Sequence, residues 1–171
     1  MPTPTPRLYK FLGLPSHGET DTLLAIALAP SREDAAERLA DFGTRHGYDG
    51  RRVWSDRMRV TEFDVEHDCA VVTWGQDLVA HFDGRLAVRA PSRLWRFAIP
   101  QGKLTRHPTI DGLTVGSFFS FVLAAGPKAA REALLAHAQE QGLPMAYAEA
   151  VGPPVPLASD PGVLVWAETT A

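Results

Sequence analysis

One segment of this chain occurs twice. Leu28-Ala29, Ala35, Glu37, Leu39 and Gly47 reappear 95 positions later as Leu123-Ala124, Ala130, Glu132, Leu134 and Gly142. Each time an apolar stretch leads into a helical pattern that stops at glycine, so strand exit, helix stripe and terminator are encoded in both halves. A fixed spacing of this kind is the signature of a repeated unit. It constrains the fold strongly, because two amphipathic helices must each bury a stripe against another layer. The internal repeat is read as residues 22–47 and 117–142.

In the first copy, Thr22 to Ala29 is an apolar run of strand length, closed by Pro30. Ser31 followed by Asp34 resembles a capping box, which predicts a helix start. Ala35, Leu39, Phe42 and His46 recur on the inward face, and Asp34 with Arg38 and Asp41 with Arg45 form i,i+4 pairs. Gly47 ends the pattern. In the second copy, Phe118 to Ala125 is the strand, Gly126-Pro127 leads in, and Lys128 to Gln141 is the helix, with Ala130, Leu134, His137 and Ala138 inward. Met145 to Val151 reads as a further strand, which makes the unit β-α-β. Ile26, Leu28, Leu39, Phe42, Phe119, Phe121, Leu123 and Leu134 are the expected core.

Between the copies the pattern changes to period two. Strands are expected near Val53 to Phe63, Cys69 to Trp74, Leu78 to Phe82, Leu86 to Ala90 and Leu94 to Ile99, with a last one at Gly162 to Glu168. Asp83-Gly84 is a type I′ hairpin signal that would set Val79, His81, Leu86 and Val88 on one face. The expected class is therefore α+β: an antiparallel-rich sheet with two amphipathic helices on one face, as in a duplicated ferredoxin-like or α+β-barrel arrangement. At 171 residues the chain is read as a single domain, 1–171, with a flexible leader at 1–6 built on alternating prolines.

No stretch approaches the roughly 18 apolar residues of a membrane span, and Met1 to Pro6 does not read as a secretory signal. A lone cysteine, Cys69, excludes an intramolecular disulfide and fits the cytoplasm. Arginine heavily outnumbers lysine, as in proteins of GC-rich bacterial genomes.

Charge is uneven along the chain. The net charge is −3, yet ten of the seventeen basic residues lie between Arg51 and Arg106, just beyond and around an acidic run of Glu62, Asp64, Glu66 and Asp68. Arg51, Arg52, Arg57 and Arg59 surround Trp54, and Arg85, Arg89, Arg93 and Arg96 surround Trp95. Arginine with tryptophan is the composition of protein-interface anchors and of single-stranded nucleic-acid surfaces. These ten residues are the candidate binding set; the plain alternative is that the arginines pair with the acidic run.

Catalytic signals are weak. His67 sits two positions from Cys69, but no nucleophile elbow surrounds the cysteine. His67, His81, Asp64, Glu66, Asp68 and Asp83 show no metal spacing. Gly13 to Gly18 lacks the phosphate-loop ending. No cofactor or metal is expected, and no catalytic residue is assigned. The expected function is a non-catalytic binding or regulatory protein that recognises a protein partner through its sheet surface or arginine-rich edge. The alternatives are a nucleic-acid-binding protein and a small enzyme with His67, His81 or Asp83 as acid or base.

Overall fold

A computed structural model describes residues 5–13, 23–75, 93–99, 118–157 and 162–168. In chain order the elements are β1 (Arg7–Gly13), β2 (Leu23–Ala29), α1 (Arg32–Arg45), a 3₁₀ helix (Gly50–Trp54), β3 (Met58–Phe63), β4 (Ala70–Gly75), β5 (Leu94–Ala98), β6 (Phe119–Leu123), α2 (Pro127–Glu140), α3 (Met145–Ala150), β7 (Val155–Pro156) and β8 (Gly162–Glu168). Helices and antiparallel strands coexist, which makes the chain α+β. The strands form two sheets instead of the one expected, ordered β3-β1-β2-β8 and β4-β6-β5-β7.

The chain divides into two compact units, each with its own sheet. In the first, β2 and β3 both run antiparallel to β1, which lies between them, so β2-α1-β3 is a split β-α-β crossover. β8 pairs antiparallel to β2 on the other side. Alanines at 25, 27 and 29 let α1 approach the sheet closely. The resulting core joins Tyr9, Phe11, Leu23, Ala35, Leu39 and Val53. In the second unit β6 and β7 flank β5 in the same way, and β4 pairs antiparallel to β6. Its core joins Phe97, Phe118, Val122, Ala130, Leu134 and Tyr147.

The two units correspond well beyond the repeated segment. Both long helices have 14 residues and start 95 positions apart. The amide of Ala35 donates to the Ser31 carbonyl at 3.0 Å, and that of Ala130 to the Gly126 carbonyl at 3.0 Å. At the other end Tyr48 donates to Gly43 at 2.7 Å and Leu143 to Ala138 at 2.8 Å. The glycine inside each of these closing turns is left-handed, with φ +80° at Gly47 and +62° at Gly142. The outer strands also agree. β8 carries one extra residue, Leu164, opposite the Ile26-Ala27 step, and β4 carries one, Val72, opposite Phe121-Val122. Those steps too are 95 positions apart, and both extra residues are buried. A bulge is a specific device, so its recurrence at one register position is informative.

Several sequence expectations change. Met145 to Val151 is helical rather than extended: a Met-Ala-Tyr-Ala-Glu-Ala stretch after Pro144 consists largely of good helix formers, and it buries Tyr147 and Ala148. Val53 to Phe63 is a strand only from Met58, because the 3₁₀ helix occupies its start. β1 arises where no strand was expected. Of the expected core, Phe42 and Phe119 are half-buried and the other six are buried. His46, expected inward, is exposed and lies tilted at 35° against Phe42 with ring centroids 4.3 Å apart. The Ser31 hydroxyl does cap α1, accepting from the Asp34 amide at 3.1 Å. The Asp83-Gly84 hairpin and its two strands lie outside the described residues.

Candidate functional site

The turn after α1 carries Trp54, the one large apolar side chain that is exposed among the described residues. Asp49 closes the start of the 3₁₀ helix, its Oδ1 accepting from the Arg51 amide at 3.1 Å and from Arg51 Nε at 3.3 Å. Those bonds, the amide first, hold the Asp49 carboxyl below its ordinary pKa. Gly50 then passes against α1 so closely that a Cβ there would run into the Ala40 carbonyl. Val53 plugs into the core. With Val53 turned inward, its neighbour Trp54 is carried outward and is 54% exposed.

Arg51, Arg57 and Arg59 are exposed around Trp54 and Arg52 is half-buried. Beside the indole lies a cavity of about 340 Å³ lined by Phe11, Arg32, Glu33, Ala36, Val53, Trp54, Ser55, Asp56 and Met58. The volume is at the lower end of ordinary ligand sites. Its floor is apolar, and two carboxylates and one guanidinium stand among its lining residues. Trp54 belongs to the candidate set read from sequence, whereas the other lining residues were not anticipated. They come from β1, α1, the 3₁₀ helix, the turn after it and β3, so only the tertiary fold brings them together.

The second arginine cluster is arranged differently. Trp95 is half-buried on β5, packs on the core of its unit, and donates its indole N–H to the Ala124 carbonyl at 3.1 Å. Arg93 donates to the Asp68 carbonyl at 3.2 Å, and Arg96 is half-buried on the same strand. Arg85 and Arg89 lie outside the described residues. In the acidic run, Glu62 pairs with Arg7. Asp64 accepts from the Glu66 amide at 2.9 Å and meets His67 Nδ1 at 3.0 Å. The His67 contact is the main cause that lowers the Asp64 carboxyl pKa.

No known family, curated protein or solved structure matches this chain. Chemistry must therefore be read from the residues. Cys69 is exposed, and among the described residues no three histidine, cysteine or carboxylate side chains gather as metal ligands. His81 and Asp83 lie outside those residues. No helix among them is long and apolar enough to cross a membrane. The Trp54 surface combines an exposed aromatic anchor, surrounding guanidinium groups and an adjacent cavity, an arrangement suited to binding.

Proposed function

We propose that this chain is a non-catalytic binding or regulatory protein of the cytoplasm that recognises a protein partner through the surface around Trp54. The observation that carries the reading is the 54% exposure of a tryptophan beside a cavity of about 340 Å³. A large aromatic group held outward by a short, capped turn presents apolar area at little entropic cost, which is what an interface anchor requires. Arg51, Arg57 and Arg59 form the charged rim, where they meet carboxylates of the partner and set its approach. Trp95 and Arg93 contribute less in this reading, since each already serves its own unit.

A photo-cross-linking amino acid at position 54, with another at exposed Glu37 as control, tests the proposal in the native cell. Protein adducts specific to position 54 and lost in an Arg51→Glu/Arg57→Glu background support it. Nucleic-acid adducts, together with single-strand binding that falls steeply with salt, would favour the nucleic-acid reading. Adducts at neither position, or equally at both, would refute it.

We further infer that the chain is one domain made of two copies of a ββαββ unit. The first copy runs from β1 to β4 and the second from β5 to β8. Each then lends its last strand to the other's sheet, β4 beside β6 and β8 beside β2. Matching strand order, helix length, terminal hydrogen bonds and bulge position support the reading.

A further inference from the structure

The correspondence of the two units bears on what fits the cavity beside Trp54. Ala36 is the fifth residue of α1, and the fifth residue of α2 is Arg131. The Arg131 guanidinium reaches the end of α3, donating from Nη1 to the Val151 carbonyl at 3.3 Å and from Nη2 to the Glu149 carbonyl at 3.3 Å. Ninety-five positions earlier, Glu149 and Val151 correspond to Trp54 and Asp56, and both line the cavity. Ala36 lines it as well. Where the second unit sets its own half-buried guanidinium between α2 and the end of α3, the first carries a methyl group beside a cavity.

We propose that this space binds the guanidinium of an arginine side chain presented by a protein partner. The proposal rests on the protein-recognition reading of the Trp54 surface and names the group that enters it. It draws on the geometry of the two units and does not require that they share an ancestor. The lining is suited to the task in three ways. Glu33 and Asp56 place two carboxylates in the lining beside Arg32, each able to accept from a guanidinium that passes inside the rim of Arg51, Arg57 and Arg59. Trp54 offers an indole face, the best aromatic partner for a guanidinium. Phe11, Val53 and Met58 provide an apolar bed for the methylene stem, which arginine buries readily. A lysine ammonium is a compact point charge that cannot make the same planar, two-directional contact, so arginine is preferred.

The test titrates the full-length protein with N-acetyl-arginine amide and N-acetyl-lysine amide, following the backbone amide resonances of residues 54–56 by NMR. The arginine probe should give saturable shifts confined to the cavity, with the lysine probe at least fivefold weaker. Ala36→Arg should abolish the response by filling the space internally, and it should raise the melting temperature as Ala36→Met does not. Asp56→Asn should weaken arginine binding several-fold and serves if Ala36→Arg does not fold. Conversely, Arg131→Ala should create a second arginine-responsive site, read at the amides of residues 149–151. Equal response to both probes, or a response unchanged by Ala36→Arg and by Asp56→Asn, would overturn the proposal. If the arginine probe shows no response while position 54 still cross-links to a protein, the cavity inference fails and the protein-recognition reading stands.

Discussion

Leu39 and Leu134 occupy the same place in the two units, and truncating each to alanine tests how packing is organised around it. Both side chains are fully buried. Removing three methylene-sized groups forfeits about 2.4 kcal/mol of transfer energy at about 0.8 kcal/mol each, and the residual cavity adds to that, for a total of about 2–5 kcal/mol. The surroundings decide where in that range each falls. Leu39 packs in a cluster of five alanines, Ala25, Ala27, Ala29, Ala35 and Ala36, with two rings, Tyr9 and Phe11, and methyl groups on rigid backbone cannot swing into a vacated space. Leu134 has four alanines and three rings in its cluster, Phe97, Phe118 and Tyr147, with Phe118 and Tyr147 stacked at 5.2 Å, and the additional ring can tilt to close part of a void. Leu39→Ala should therefore cost about 4 kcal/mol and Leu134→Ala about 3 kcal/mol. Urea unfolding with m values compared across the variants supplies the measurement. A larger loss at Leu134 than at Leu39 would refute the argument from neighbours, and a loss below about 1 kcal/mol at either would refute burial itself.

Gly47→Ala and Gly142→Ala should each destabilise by about 1–2 kcal/mol in the same assay, since both glycines are left-handed at helix ends. The missing side-chain cap of α2 gives the opposite sign: Gly126→Ser should stabilise by about 0.5 kcal/mol, because the site is extended and a Cβ there meets nothing. Gly50→Ala should cost more than Gly47→Ala, because the new methyl meets the Ala40 carbonyl, and calorimetry would show the difference. The Asp49 carboxyl has its pKa lowered by folding, so its contribution is complete above the ordinary carboxylate pKa and disappears as pH falls through the lowered value; Asp49→Asn should flatten that part of the acid-melting curve.

The class and both long helices were legible because their signals are local. Ser31, the Ala35-Leu39 stripe and Gly47 act within a few turns of one another, and the structure places cap, stripe and terminator where those residues predict. Met145 to Val151 misled because Ala-Tyr-Ala-Glu-Ala can be read with period two as well as with helical spacing. Helix propensity and the burial of Tyr147 and Ala148 against the second unit's core together favour the helix. β1 escaped notice because Tyr9-Lys10-Phe11 sets a half-buried lysine between two buried aromatics, whose burial follows from strands that arrive later in the chain. The cavity beside Trp54 could not be read at all by scanning along the sequence. Comparing the two halves position by position would have pointed to one contrast there, since the buried Ala36 stands 95 positions before Arg131.

Strand exchange explains why two compact units need not be two independent domains. β2 is apolar at all seven positions and buried along its whole length, yet one of its neighbours is the last strand described. Pairing Ile26 with Val165 closes a loop of roughly 140 residues, and the entropy of that closure must be met before the contact returns any energy. Non-local pairing of this kind slows folding. Until β8 is in place, β2 presents an unpaired apolar edge, the kind of strand most prone to incorrect partners. The sheet of the second unit has the same dependence in reverse, since its outer strand β4 precedes the rest of it. Neither sheet is complete within its own half of the chain, which is the physical ground for proposing one cooperative domain. It also accounts for what the repeat alone could not disclose: an alternating strand pattern fits either sheet equally well, so the exchange is recorded in the register and not in the residues.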